Sequence, residues 1–400
     1  MKRVLILGGA EKLLPVIKYA SNRGYYIIVC DYLPDNPGRY YANEYYNIST
    51  TDMESILELA KKIGIDGIVS YSSDLIALTA AYVGNKLNLP SNPYDAVLTL
   101  ARKDLFRKFL RENDFNCPKA DSFNCLDDAK KAIIDYKLPL MVKPVDFAGS
   151  AGVVKIKELS QFEDAFVNAL RLSKEKRVII EEYIQMSHEC MIAGDAFILD
   201  GKVAFMGLLN SHRGAEHHPF IPTGTSYPIF LNDDQVEEVT NTIQRVVDLL
   251  KIQLGGLNLE LMYDDKGNLY IIEIAPRNGG NMIPELLNIA TGVDLIGALV
   301  SASVGLKNII LKPYDFNSFY ATYVLHSHKG GRLKGIKYSE EIKNNIIDQV
   351  LYVRNGEEVF EFDSAKKAIG IIFLKFNSLE EEKYKIRNIR EYIKINLADD

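Results

Sequence analysis

The sequence lacks the features that mark membrane, secreted and nucleic-acid-binding proteins. No apolar run approaches the roughly 18–20 residues of a membrane-spanning helix. Acidic residues exceed basic ones by 53 to 47 and no Lys/Arg-rich block stands out, which argues against a nucleic-acid surface. The four cysteines lie far apart and form no CxxC pair. We therefore expect reduced thiols and a cytoplasmic protein.

Two common nucleotide-binding motifs are also missing. GxxxxGK[ST] does not occur, and the segment LILGGAEKLLP has only Gly8 and Gly9 where a dinucleotide fold would have GxGxxG. That segment nevertheless joins a predicted strand to a helix, and Asp31 ends the next strand, where a ribose-binding acid would sit. An NAD(P)-dependent oxidoreductase therefore stays an alternative, as does a nucleotide-binding module that has lost catalysis.

The pattern that is present predicts a multidomain mixed α/β protein. A chain of 400 residues can form two or three domains. Strands and helices alternate over residues 1–100, which predicts a parallel sheet covered on both faces. We expect a second region over 101–310, with a small α/β lobe at about 117–185 followed by long strands. Residues 311–400 predict a small α+β lobe that ends in a charged helix.

Two acids on a predicted hairpin point to a metal site. In GGLNLELMYDDKGNLYIIEIAPR, alternating segments flank a turn. A four-residue loop at 265–268, closed by Asp264 and Leu269, would place Glu260 directly opposite Glu273. Opposed carboxylates repel and recruit a cation, and Mg²⁺ prefers oxygen ligands. A solvent-facing pair balanced by lysines is the structural alternative.

Arg277 follows the second acid closely. Pro276 ends the strand pairing, and Gly279 and Gly280 let the backbone approach a ligand. The guanidinium of Arg277 could clamp a phosphoryl or carboxylate group. A plain surface arginine is an equally simple interpretation.

Two other stretches could bind a nucleotide. In LPLMVKPVDFAGSAGV, Lys143 ends a strand and a loop with Gly149 and Gly152 offers backbone N–H groups to phosphates. An ordinary hairpin turn is the alternative. In VIIEEYIQMSHE, the backbone at 182–184 could pair with a base, and Glu189 could accept hydrogen bonds from ribose hydroxyls.

A His-rich segment could line an acceptor pocket. LLNSHRGAEHHPFIPTGTSYP contains His212, Arg213, His217 and His218. An exposed loop is the alternative for the last two. A zinc site is possible in principle, but no second ligand cluster has suitable spacing.

Taken in order, these stretches resemble the ATP-grasp superfamily of carboxylate–amine ligases. The resemblance covers residues 1 to about 310 and is most specific at GGLNLELMYDDKGNLYIIEIAPRNGG. Biotin carboxylase, phosphoribosylamine–glycine ligase and the L-amino-acid ligases are the most similar branches. The resemblance implies an N-terminal open parallel α/β (pre-ATP-grasp) domain, an ATP-grasp domain of two α+β lobes with ATP between them, and a small C-terminal α+β lobe.

The resemblance also implies roles for individual residues. Many members carry Asn two residues after the second metal acid, but this chain has Ala275, so a second metal would be held more weakly, or by Asn278 or water. Arg277 and Lys143 would be catalytic, and Arg213, His212 and Asn278 would meet substrate. The remaining assignments are Lys103 and Lys143 on the phosphates, Gly149, Ser150 and Gly152 in the lid loop, Glu181, Glu182, Tyr183 and Ile184 at adenine, Glu189 at ribose, and Glu260 and Glu273 on Mg²⁺ or Mn²⁺.

The activity implied is ATP-dependent joining of a carboxylate to an amine. The acid would form an acyl phosphate with release of ADP, and the amine would then displace phosphate. We expect small-molecule carboxylate and amine substrates, and neither a nucleic acid nor a membrane partner. A homodimer is one open oligomeric state. A purine-pathway ligase and an amino-acid ligase both fit the sequence.

Overall fold

The computed structural model describes residues 1–147, 149, 151–215, 218–314 and 318–398. Its N-terminal unit is a parallel sheet with helices on both faces. Alternate residues of the first strand belong to two different cores, Val4 and Ile6 to one and Leu5 and Leu7 to the other. The elements are β1 (Arg3–Leu7), α1 (Leu14–Asn22), β2 (Tyr26–Asp31), β3 (Glu44–Asn47), α2 (Met53–Ile63), β4 (Gly67–Val69) and α3 (Asp74–Leu87). The strand order is β3–β2–β1–β4.

Two helices lead out of this unit, α4 (Tyr94–Ala101) and α5 (Lys103–Glu112). They are separated at Arg102, whose extended backbone (φ −109°, ψ 112°) ends the first and caps the second. Helix α5 buries Phe106 and Leu110 together with a charged residue, Arg107. The helix therefore carries a cation into the protein interior.

The next unit is a small antiparallel sheet packed against one main helix. Phe162 and Phe166 of that helix pack with Leu140, Val142 and Ile180 of the sheet. The elements are β5 (Ala120–Phe123), α6 (Leu126–Ala132), β6 (Leu140–Pro144), β7 (Val154–Ile156), α7 (Phe162–Leu172) and β8 (Val178–Glu182). The strand order is β5–β8–β6–β7.

The rest of the described chain builds an eight-stranded antiparallel sheet and a three-stranded sheet. The strands are β9 (Met191–Leu199), β10 (Lys202–Ala215), β11 (His218–Tyr227), β12 (Leu254–Tyr263), β13 (Leu269–Ala275), β14 (Phe319–Leu325), β15 (Gly331–Tyr338), β16 (Ile346–Leu351), β17 (Glu358–Val359), β18 (Gly370–Phe376) and β19 (Ile393–Ala398). The helices are α8 (Asp233–Leu250), α9 (Ile283–Thr291), α10 (Leu295–Ser303), α11 (Glu340–Lys343), α12 (Leu379–Arg387) and α13 (Ile389–Tyr392). The sheet orders are β13–β12–β9–β10–β11–β14–β18–β16 and β17–β15–β19.

Short 3-10 segments complete the secondary structure at Glu11–Leu13, Pro37–Tyr41, Ile133–Asp135, Leu159–Gln161 and Ala365–Lys367. The predicted fold class, mixed α/β and α+β with a parallel N-terminal sheet, is confirmed. The domain boundaries stay a prediction, since β14, β16 and β18, which follow residue 310, extend the same sheet as β9–β13.

The end of the described chain differs from the prediction. Helices α12 and α13 are present, but the chain continues as β19, which pairs with β15. The prediction that the chain ends in a charged helix is therefore wrong for Ile393–Ala398, which is a strand. Ile393, Ile395 and Leu397 alternate with polar residues and pack against a hydrophobic cluster, which favours a strand over a helix.

No single helix among the described residues is long and apolar enough to cross a membrane. Helices α9 and α10 together have the length and apolar composition of a membrane span, but the chain bends by 113° between them. Their apolar faces lie in the protein core. The four cysteines are free thiols.

We expect Gly194→Ala to destabilise the protein strongly. Gly194 lies in β9 with φ +133°, and a Cβ there would stand 1.9 Å from the carbonyl oxygen of Gly207 on β10. The free energy of unfolding, measured with urea, should fall by about 3 kcal/mol or more. Gly280→Ala is the matched control, because a Cβ at Gly280 meets nothing within 4 Å. Equal effects of the two substitutions would contradict this account.

Candidate active site

The two predicted metal acids face each other on the β12–β13 hairpin. Glu260 pairs directly with Glu273, so their predicted opposition is confirmed. The predicted loop is wrong by one residue, because Leu269 pairs with Tyr263 and not with Asp264. A register shift just beyond Glu260 restores the predicted pairing.

The chemistry of the turn explains this difference. The carboxylate of Asp264 accepts hydrogen bonds from the backbone N–H groups of Lys266 (2.9 Å) and Asn268 (2.8 Å). It also accepts one from the side-chain amide of Asn268 (2.9 Å). Asp264 therefore belongs to the turn, as Asx residues commonly do.

A different cation neutralises each of these carboxylates. Arg213 Nη2 lies 2.7 Å from Glu260 Oε1, and Lys103 Nζ lies 3.5 Å from Glu273 Oε2. Burial alone would raise the pKa of Glu273, but Lys103, Arg277 and Lys143 outweigh it and hold that pKa below its usual range. Glu273 is therefore ionised at neutral pH.

Arg213 reaches Glu260 because its strand is irregular. The β10–β11 ladder shifts register on both sides of Arg213, between His212 and Arg213 and again before Ala215. Such irregularities bend a strand and redirect side chains. Arg213 Nη1 also donates to the carbonyl oxygen of Phe220 at 2.9 Å. His218 begins β11 and is half-buried, and His217 lies outside the described residues.

The donor set fits Mg²⁺. Two ionisable carboxylates converge from adjacent strands, and Mg²⁺ is commonly held by one or two carboxylates with substrate phosphates and water. No group of three or more His, Cys, Asp or Glu side chains suited to a metal occurs among the described residues. The pair therefore matches a metal shared with a ligand better than one held in a protein cage.

Arg277 is held by the N-terminal unit. Its Nε donates to Asp74 Oδ1 at 2.8 Å, and Asp74 is the first residue of α3. Its Nη1 donates to Asn258 Oδ1 at 3.0 Å. The guanidinium is largely buried, and the charges of Asp74 and Glu273 raise its pKa despite burial.

Asp195 organises the segment that follows Arg277. Its carboxylate accepts hydrogen bonds from Gly279 N (2.9 Å), Asn258 Nδ2 (3.0 Å) and Asn278 Nδ2 (3.2 Å). Asp195 is fully buried, and burial raises its pKa to about 6. Asn278 is thus tied to Asp195, while Ala275 lies opposite Asn258. Sequence reasoning missed Asp195, although a lone acid in the apolar strand MIAGDAFIL is the same signal that marked Glu273.

Lys143 belongs to a buried three-residue charge cluster. Its Nζ lies 2.5 Å from Glu181 Oε2, and Arg107 Nε lies 2.9 Å from Glu181 Oε1. Burial would raise the pKa of Glu181, but the two cations lower it to about 2. Burial lowers the pKa of Lys143.

Arg107 also connects the small sheet, through Glu181, to the β12–β13 hairpin. Its Nη2 donates to the carbonyl oxygen of Ile272 at 2.8 Å, at the irregular part of β13. Arg107 was missed in the sequence. Its only signal was a charged residue between Phe106 and Leu110 on the buried face of α5.

Comparison with known proteins agrees with this geometry. Residues 136–285 match the family described as ATP-grasp domain. That stretch of the chain resembles an ATP-grasp domain. The predicted resemblance to the ATP-grasp carboxylate–amine ligases is therefore confirmed.

The individual relatives of this chain are distant. The carbamoyl phosphate synthase large chain of Thermoanaerobacter pseudethanolicus is 25% identical over 265 residues, which cover 65% of this chain and 24% of that protein. The chain thus spans about a quarter of the length of these relatives.

Two solved structures share the fold over nearly their whole length. The L-amino acid ligase of Bacillus licheniformis has a TM-score of 0.81 at 18% identity, with 100% of this chain and 99% of that chain covered. The phosphoribosylglycinamide synthetase of Anaerococcus prevotii has a TM-score of 0.77 at 22% identity, with 99% and 100% covered.

The predicted lid loop of the ATP-grasp domain is described only in part. Gly149 (φ +76°) and Gly152 (φ +72°) have left-handed backbones, which favour glycine. Ser150 lies outside the described residues. Just before the loop, Lys103 Nζ donates to the carbonyl oxygen of Phe147 at 3.0 Å. Lys103 therefore contacts both the base of the loop and Glu273.

The predicted adenine and ribose residues of the ATP-grasp domain already have partners. Glu182 accepts a hydrogen bond from the backbone N–H of Lys137 (3.0 Å), and Lys155 Nζ lies 3.3 Å from the ring centre of Tyr183. Ile184 is half-buried. The structure places Glu189 near α12, where Arg387 Nη2 lies at 2.9 Å and Lys383 Nζ at 3.8 Å.

His212 gives the protein's stability a testable pH dependence. Its ring nitrogens lie 2.9 Å from Ser226 Oγ and 3.6 Å from Cys190 Sγ. Burial lowers the pKa of His212 to about 4, from an ordinary 6.5. Lowering the pH from 7 to 5 protonates His212 in the unfolded chain and leaves it neutral in the folded one, which favours unfolding.

We expect His212→Gln to reduce this pH dependence. The decrease in the free energy of unfolding between pH 7 and pH 5 should become smaller by roughly 2 kcal/mol. Urea unfolding at both pH values measures it. The same decrease in the variant and the wild type would show that His212 titrates normally.

Proposed function

We propose that this protein is an ATP-dependent carboxylate–amine ligase that works through an acyl phosphate. The observation that carries the proposal is the opposed pair Glu260 and Glu273, with Lys103 on one side and Arg277 beyond it. The ATP-grasp match supports the use of ATP. The reaction converts a carboxylate, an amine and ATP into an amide, ADP and phosphate.

The proposed nucleotide contacts follow the charges around the hairpin. Lys103 and Lys143 are the cations for the ATP phosphates, and each is paired with a carboxylate, Glu273 and Glu181 respectively. The backbone from Glu181 to Ile184 is the adenine site, and Glu189 is the ribose contact. Glycines 149 and 152, together with Ser150, are the phosphate loop that closes over the nucleotide and excludes water.

Glu260 and Glu273 are the residues that would hold Mg²⁺ or Mn²⁺. The ion would supply neutralisation of the negative charge on the phosphoryl group that is transferred. The side-chain amide of Asn278 donates a hydrogen bond to Asp195, at 3.2 Å. We therefore propose that water, and not Asn278, would complete any second metal position left by Ala275.

The chemistry proceeds in two displacements. An oxygen of the substrate carboxylate attacks the γ-phosphorus of ATP, which forms the acyl phosphate and releases ADP. The amine nitrogen then attacks the acyl carbon, phosphate leaves, and the nitrogen loses a proton to solvent. Arg277 stabilises the anionic acyl phosphate, because Asp74 and Asn258 hold its guanidinium in a fixed orientation.

The residues around the proposed acid site narrow the class of substrates. We propose that Arg213, His212 and Asn278 lie around the acid site, with a free amino acid or a purine-pathway amine as candidate substrates. The two solved structures with a similar fold are those of an L-amino acid ligase and a phosphoribosylglycinamide synthetase. A screen for ADP formation across amino acids, aminosugars and phosphoribosylamine precursors would identify the pair. Analytical ultracentrifugation would measure whether the protein is a homodimer, the oligomeric state that the sequence leaves open.

Glu273→Gln should nearly abolish the reaction. The amide cannot neutralise a divalent ion, so ADP release with a matched acid and amine should fall by roughly 100-fold or more. Glu361→Gln, an exposed carboxylate in the C-terminal region, is the control. An unchanged rate in Glu273→Gln would remove the metal role of the hairpin.

Asp74→Asn tests how Arg277 is positioned. Without the anion that holds Nε, the guanidinium of Arg277 is misplaced relative to the acid substrate that it contacts. The KM for the acid should therefore rise by about tenfold, and the KM for ATP should stay unchanged. Asp95→Asn is a matched control, since Asp95 also lies in the first turn of a helix but is exposed. If both substitutions act alike, Asp74 does no more than start a helix.

A further inference from the structure

Arg213 is bound to a residue that the proposed metal also needs. Its guanidinium lies 2.7 Å from Glu260, and only 15% of its side chain is exposed. Its Nη1 donates a hydrogen bond to the carbonyl oxygen of Phe220, at 2.9 Å. Its buried Nε has no hydrogen-bond partner among the described residues.

The pairing is a consequence of how the strand is built. A regular β10–β11 ladder would continue the alternation of its side chains, but two register shifts flank Arg213. These shifts carry the guanidinium to a carboxylate two strands away in the sheet order. The result is a cation next to Glu260 while the opposed Glu273 has its own cation, Lys103.

A guanidinium and a divalent ion are poor neighbours on one carboxylate. Both are positive, and their repulsion at a few ångströms in a partly buried site is large. Glu260 therefore has two competing partners. Binding of the ion weakens the contact with Arg213, and the contact with Arg213 weakens binding of the ion.

We propose that Arg213 is an exchangeable counter-ion, which neutralises Glu260 in the empty site and, once a divalent ion takes Glu260, binds the anionic group of the acid substrate. This inference rests on the proposed function. It makes metal binding and acid binding cooperative, because the ion releases the cation that the acid requires. The carbonyl oxygen of Phe220 keeps the guanidinium beside the site throughout.

The inference predicts opposite effects of one substitution. In Arg213→Met, Glu260 is free before the ion arrives, so the fraction of protein competent to bind the ion rises. We expect Mn²⁺ to bind the ADP-bound variant about fivefold more tightly than the ADP-bound wild type. The KM for the acid should rise by about tenfold, since its cation is gone.

The main experiment measures Mn²⁺ by electron paramagnetic resonance with full-length protein and saturating ADP, without acid or amine. It compares the wild type with Arg213→Met, Arg213→Lys and the control Arg332→Met, which removes an exposed arginine of β15. Arg213→Lys keeps the charge and should keep Mn²⁺ affinity within about twofold of the wild type. Circular dichroism checks that each variant is folded. If Arg213→Met is unfolded, the test relies on Arg213→Lys alone.

The outcomes separate this inference from the proposed function. Tighter Mn²⁺ binding together with weaker acid binding in Arg213→Met supports the exchange. Unchanged or weaker Mn²⁺ binding, in a wild type that binds Mn²⁺ and ADP, overturns the exchange and leaves the ligase proposal intact. If Arg213→Met is unfolded, loss of Mn²⁺ affinity in folded Arg213→Lys also overturns it. A wild type that binds neither Mn²⁺ nor ADP overturns both.

Discussion

Neutralisation of negative charge at the β12–β13 hairpin is the constraint on which the site depends. Two carboxylates face each other on adjacent strands, an arrangement that is unfavourable unless cations or a metal offset it. The fold brings Arg213 to one and Lys103 to the other, from β10 and from α5. The same rule holds nearby, where Glu181 lies between Lys143 and Arg107, and Asp74 binds Arg277. These pairs offset charges that would be costly to bury alone.

These ion pairs also connect units that are separate in sequence. Asp74 belongs to the N-terminal α/β unit, yet it holds the guanidinium of Arg277 next to the β12–β13 hairpin. Arg107 contacts Glu181 in the small sheet and the carbonyl oxygen of Ile272 in the large one. The geometry of the site therefore depends on how the units pack. A substitution remote from the reacting atoms can affect it through these contacts.

Much of the site could be predicted from local patterns, and the misses have physical causes. Alternation in β12 and β13 predicted the opposition of Glu260 and Glu273, but the turn differed because Asp264 binds its own loop. The short strand β3 is only half-buried and gave no apolar signal. Arg107 and Asp195 look ordinary in sequence, and their roles come from burial among distant partners. Glu189 is predicted at a ribose, and the structure places it against the cations Lys383 and Arg387 of α12.

The sequence by itself determined the class of fold, the resemblance to ATP-grasp ligases and the residues that carry the charges, because periodicity and short motifs are local properties of the chain. Tertiary structure alone decided which cation meets which carboxylate, since those partners lie tens to hundreds of residues apart. It also decided that Arg213 occupies Glu260, through two irregularities in a strand that sequence alternation does not reveal. Pairing of charges depends on distance in space and on exclusion of water, and neither is encoded in any single stretch of sequence.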